Sequence, residues 1–370
     1  MKSARATIHF FITFSACCCL IGAVTRCFAQ EDDSTVSEME LRKQVSQQSA
    51  DLLRAENFDE LERMAGEFRT NKTRLPSGFW KLYNFYEGIE SPHASATGGD
   101  WQAHLARLEK WHAQYPQSIT VHTVLAAAYV NYAWQARGNG YADSVTEEGW
   151  QLFKERLHKA QEYIDAARKL PATDPQLDCV NLIMAKGLSW EWPEYNAVFD
   201  EAVKREPQYM YLYFQKAGYS LPRWGGKRGD VERLTDEAVR LTQGDEGKAM
   251  YARLGVYLRQ YVGEGQWFFD AYRLSWHEMQ EGFRDLEKQY PHSVWNLNQF
   301  CLMACHAKDS KTAQELFERI GDRWDADVWS NEGQYRKWKN WAENPDAHRN
   351  DVEAAEIPFW QRVLRELLRQ

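Results

Sequence analysis

Cysteine is scarce where it would matter. Of seven cysteines, Cys17, Cys18, Cys19 and Cys27 fall in the first 29 residues, leaving Cys179, Cys301 and Cys305. Three cysteines with no spaced pairs are not a disulfide framework, so stability has to come from packing. Clustered basic residues are also missing. The formal charge is −8, and Lys and Arg are scattered, which excludes a nucleic-acid partner. After Val24 no stretch is apolar enough to span a bilayer. Alternating β-branched runs between turns are missing as well, which argues against strands. No G-x-G-x-x-G, P-loop or G-x-S-x-G is present, so phosphate-cradle and nucleophile-elbow chemistries lack their parts.

The chain opens with a targeting pattern. Lys2 and Arg5 precede an uncharged apolar run, Ile8 to Val24, and Cys27-Phe28-Ala29 places small residues before a cut at Gln30. Residues 1–29 therefore read as a signal peptide, and the protein as exported, periplasmic or secreted. The alternative is a lipid anchor on Cys17, with Phe14-Ser15-Ala16-Cys17 as the processing site. Removing residues 1–29 takes away Lys2, Arg5 and Arg26 and no acid, which moves the formal charge from −8 to −11. Residues 30–40 form a flexible acidic N-terminus. Residues 41–370 form a single helical domain, long enough for a sizeable core.

From Leu41 onward apolar residues recur at helical spacing. Leu52 to Phe68 reads as a helix–turn–helix in which Asn57 caps the second helix. Trp101 to Tyr115 stops at Pro116, and Ser118 to Arg137 follows. Two acidic-Pro dipeptides, Asp174-Pro175 and Glu206-Pro207, each read as a helix start, 32 residues apart, near the period of helix-pair repeats. There is a second echo. Leu108-Glu109-Lys110 leads into Tyr115-Pro116-Gln117-Ser118, and Leu286-Glu287-Lys288 into Tyr290-Pro291-His292-Ser293. The expected fold is all-α, a tetratricopeptide-like α-solenoid of stacked antiparallel helix pairs with a concave face.

Several candidate sites have plainer explanations. Cys301 and Cys305 lie one turn apart on one helix face among apolar residues, as small core side chains do. His277-Glu278-Met279-Gln280-Glu281 lacks the second histidine of a zinc helix and reads as a solvated face. The 16 tryptophans are mostly gap fillers, with Trp190, Trp192, Trp324, Trp329, Trp338 and Trp341 less settled. No catalytic residue, cofactor or metal ligand is assigned.

Two loops stand above this background. Trp134 to Tyr141 and Pro222 to Asp230 each set an arginine beside a glycine turn and an aromatic ring. The candidate ligand-binding residues are Trp134, Arg137, Tyr141, Arg223 and Trp224. Arginine can stack on a ring and still offer its donors to a carboxylate. One reading is a shared pocket for an acidic group or a peptide terminus. The other is an Arg–aromatic staple that locks two long loops to the helices.

The Ala136-Arg137-Gly138-Asn139-Gly140-Tyr141-Ala142 and Leu221-Pro222-Arg223-Trp224-Gly225-Gly226 segments, with the Phe300 to Ile320 helix pair, resemble a bacterial family of exported helical-repeat proteins known only as a domain of unknown function. The resemblance implies a tetratricopeptide-like fold over most of residues 40–330 and carries no activity. The functional expectation is a non-catalytic scaffold holding another protein or a peptide on its concave face. The alternative is an envelope enzyme, or a small-molecule or glycan binder, using the two Arg/Trp loops.

Overall fold

The computed structural model describes residues 36–348 apart from 94, 139, 141 and 263–267. The proposed signal peptide and Tyr141 lie outside the described residues. The described chain is all-helical, with one isolated bridge, Arg74 to Trp80, and no strand. The helices are α1 (Glu38–Arg54), α2 (Phe58–Asn71), α3 (Lys81–Glu87), α4 (Gly98–Gln114), α5 (Ile119–Arg137), α6 (Glu147–Ala167), α7 (Pro175–Gly187), α8 (Trp192–Arg205) and α9 (Met210–Tyr219). They continue with α10 (Asp230–Leu241), α11 (Ala249–Leu258), α12 (Phe268–Tyr272), α13 (Trp276–Gln289), α14 (Val294–His306), α15 (Ser310–Ile320), α16 (Ala326–Trp329) and α17 (Glu332–Glu343). Helix α1 starts inside the stretch expected to be loose, because Ser37 caps it by accepting from the Glu40 amide.

Two kinds of helix alternate. In α10, α13 and α15 the buried residues fall at i, i+3, i+4 and i+7: Val231, Leu234, Thr235, Ala238; Met279, Gly282, Phe283, Leu286; and Ala313, Leu316, Phe317, Ile320. Such a stripe buries one face only. In α9, by contrast, nine of ten residues are buried, and α7, α11 and α14 are enclosed in the same way. A helix that is apolar all round has to sit inside. Accordingly α5, α7, α9 and α11 pack in succession, each on the next, while α8, α10 and α13 cover them.

The Tyr-Pro echo is real in the backbone. Tyr115 and Tyr290 end α4 and α13 with φ/ψ of −126/62 and −131/64, and Ser118 and Ser293 cap α5 and α14. Glu206 ends α8 at −141/80, so Glu206-Pro207 belongs to the same turn. This corrects the acidic-Pro period. Pro175 opens α7 at its first turn with Asp174 as cap, whereas α9 starts only at Met210. The two prolines therefore stand at different points of the helix pair. Pro207 matches Pro116 and Pro291 instead.

Residues 72–80 cross the N-terminal ends of these buried helices. Arg253 donates to the Ser77 carbonyl (3.1 and 3.2 Å) and to Glu246 (2.8 Å), and Asn296 donates to the same carbonyl (3.1 Å). Trp80 donates from Nε1 to the Gln208 carbonyl (3.2 Å). Further along, Asp174 accepts from Tyr86 (2.5 Å) and pairs with Arg69. These bonds seat α3 against α7 and α9.

Candidate functional site

The two Arg-Gly loops meet. Trp134, in the last turn of α5, and Trp224 stand edge to face with centroids 6.0 Å apart. The Trp224 loop is shaped by its glycines. Gly225 has φ +86, and a Cβ on Gly226 would lie 1.9 Å from the Ser220 carbonyl oxygen. The Arg137 guanidinium sits 5.4 Å from the ring centres of both Trp134 and Trp150, and donates to the Gly138 and Gly140 carbonyls, each at 3.1 Å. Arg137 thus caps its own loop. Lys186 reaches the same junction, 5.2 Å from the Trp224 ring and 5.9 Å from Trp134. Burial, helped by nearby Arg223, lowers its pKa to about 8.

Arg223 faces away, 4.7 Å over the Tyr261 ring. There it joins Lys227, Arg228 and Arg273 around a cavity of about 710 Å³. Among the described lining of that cavity are Arg223 but not Trp134, Arg137 or Trp224. Of the five candidate residues, three share one aromatic junction, Arg223 turns to the neighbouring cavity, and Tyr141 is not described.

The other sequence candidates make contacts within the protein. Cys301 and Cys305 are buried, and the Cys301 thiol donates to the Ala313 carbonyl at 3.7 Å. His277, Glu278 and Glu281 bring their ligand atoms within 4.8 Å of one another, but Lys248 already pairs with both glutamates. Trp329, Trp338 and Trp341 are buried, Trp329 donating to Asn298 at 2.8 Å. Trp190 and Trp192 pack partly buried on the core, and so does Trp324.

A larger cavity, about 1010 Å³, was missed by sequence reasoning. It opens between α1, α3, α9, α11 and α14. One wall is a run of aromatic rings. Phe79 lies 6.2 Å from Tyr211 and 6.3 Å from Phe214; Tyr83 stacks on Tyr211 at 3.9 Å; Phe214 stacks on Tyr257 at 4.7 Å. Arg42 bridges Phe79 (4.2 Å) and Trp295 (5.1 Å). Tyr257 shares a 3.0 Å hydrogen bond with Tyr261, which carries the wall to Arg223.

The polar groups here are not all used. Asn84, 2% exposed, donates to Glu87 at 2.9 Å, but its Oδ1 has no partner. Gln299, 3% exposed, has an unpartnered Oε1. The Arg42 Nη2 is also unpartnered, although its Nε pairs with Glu38 at 3.1 Å. Arg259 is the extreme case. Among the described residues its side chain has neither a hydrogen bond nor an ion pair, and burial alone lowers its pKa to about 10. Buried polar groups are normally satisfied by the protein, and four residues with an unpartnered buried atom line this one cavity.

Comparison of the chain with protein-family models, with curated proteins and with solved structures finds no match.

Proposed function

We propose that this chain is an exported, non-catalytic helical-repeat scaffold that binds a peptide or a segment of another protein. In this reading the Pro116, Pro207 and Pro291 turns join three of the helix pairs of a tetratricopeptide-like solenoid, α4–α5, α8–α9 and α13–α14, in keeping with the exported helical-repeat family that the sequence resembles. The bound segment lies in the cavity between α1, α3, α9, α11 and α14. One observation carries the reading: an aromatic wall and unpartnered polar groups line the same space of about 1010 Å³. Peptide chains offer both amide groups and side chains, and aromatic-lined grooves take them up.

The test is selection of a random displayed peptide library on the purified protein and on Gln215→Trp, which narrows the cavity from α9. Sequences enriched by the wild type and lost on the variant support the reading. An absence of enrichment, or enrichment indifferent to Gln215→Trp, contradicts it.

A second reading, a small-molecule or glycan binder at the Trp134–Trp224 junction, has its own observation. Lys186 stands between the two rings without a carboxylate partner among the described residues. Titration with neutral oligosaccharides, followed by tryptophan fluorescence in the wild type and in Trp224→Phe, tests it. A saturable signal confined to the wild type would favour this site over the cavity.

A further inference from the structure

The spare groups in the large cavity differ in kind, and together they describe a ligand. Arg259 supplies a cationic fork of N–H donors that, among the described residues, has no hydrogen-bond or ion-pair partner, and its Nε is buried. A guanidinium matches a carboxylate in shape and charge. Gln299 Oε1 and Asn84 Oδ1 are acceptors that lack donors. The Asn84 orientation is set by its Nδ2, which donates to Glu87, so its oxygen is the free end. Beside them lie the rings of Tyr211, Phe214 and Tyr257. The missing partner thus carries one carboxylate, N–H donors and apolar bulk. The end of a polypeptide chain has all three within its last residues.

We propose that the cavity receives the carboxy terminus of a peptide. The free α-carboxylate binds the Arg259 guanidinium, backbone N–H groups donate to Gln299 and Asn84, and a bulky apolar final side chain rests on the aromatic wall. This rests on the peptide-binding reading above and makes it specific for a chain end.

The experiment compares two displayed libraries on the purified full chain, one ending in a free carboxylate and one in a carboxamide. Enriched sequences are then synthesised in both forms and their affinities measured. The wild type is expected to prefer the acid by about tenfold or more, the scale of a hydrogen bond to a charged group. In Arg259→Gln the ratio of acid to amide affinity falls to near one, and in Arg259→Lys, which keeps the charge but not the fork, it lies between. Because the ratio is taken within one folded variant, a general loss of stability does not move it. A single circular dichroism melt of each variant confirms that it is folded. Enrichment in both libraries with a ratio near one in the wild type overturns the chain-end proposal and leaves the peptide-binding reading standing. A wild-type preference that Arg259→Gln leaves intact overturns the role of Arg259. No enrichment in either library overturns both.

Discussion

Arg253 lies midway along α11 and Arg259 directly follows its last residue, Leu258, and both line the large cavity. Arg253 is spent by the protein. Its guanidinium joins Glu246 to the Ser77 carbonyl and so ties residues 72–80 across the helix ends. Arg259 meets no such partner among the described residues, and burial lowers its pKa. The same contrast separates the cavity from the Trp134–Trp224 junction. Both are rich in rings and cations, yet at the junction Arg137 caps the carbonyls of its own loop. Composition alone therefore does not tell a staple from a site. What distinguishes Arg137 from Arg259 is whether the guanidinium is matched among the described residues; at the junction Lys186 and the Trp134 Nε1 remain unmatched.

The comparison can be broken at four points. The largest effect is expected at Arg253→Met, which leaves the Ser77 carbonyl buried and strips Glu246 of one of its two arginines. Breaking a buried pair of this kind costs about 3 kcal/mol, to be read by urea unfolding. Trp224→Ala removes the ring that joins the loops and should cost about 2 kcal/mol, without changing peptide selection in the cavity. If selection were lost as well, junction and cavity would be one site.

Lys186 gives a pH signature. Its pKa is lowered to about 8 in the folded state, mainly by burial, against 10.5 in the unfolded chain. Below about pH 8 both states carry the proton and the folded state bears the full cost of the buried charge. Between about 8 and 10.5 only the unfolded state holds the proton, so stability rises with pH. The difference in unfolding free energy between wild type and Lys186→Met should therefore narrow over that window, with the variant the more stable at neutral pH. An unchanged difference would mean that Lys186 is not desolvated at the junction.

Much of the helical frame was legible because its signals are local. Asn57, Ser118 and Ser293 cap helices through their own side chains, and Pro175 opens one. The Arg137 and Arg223 loops stood out because glycine, arginine and a ring in one short segment are unusual, and their rings do meet. Glu206-Pro207 was misread because an acidic residue before proline serves a helix start at Asp174-Pro175 and an interhelix turn here. Only the backbone at Glu206 separates the two. The cavity was not legible at all. Its walls come from Arg42, Tyr83, Phe214, Arg259 and Gln299, on elements far apart in the chain. Nothing in Leu258-Arg259-Gln260-Tyr261 distinguishes that arginine from one on a solvated face, since its lack of a partner among the described residues is a tertiary fact.

The most direct measurement sets the two arginines side by side: the unfolding free energies of wild type, Arg253→Met and Arg259→Met at neutral pH without ligand. Among the described residues Arg259 has no partner, and a charge desolvated without one is a cost that its removal relieves, by about 1 kcal/mol or more. The account predicts opposite signs, with Arg253→Met less stable than the wild type and Arg259→Met more stable. Destabilisation by both would show that Arg259 already serves the fold, and would contradict the claim that it is held for a ligand.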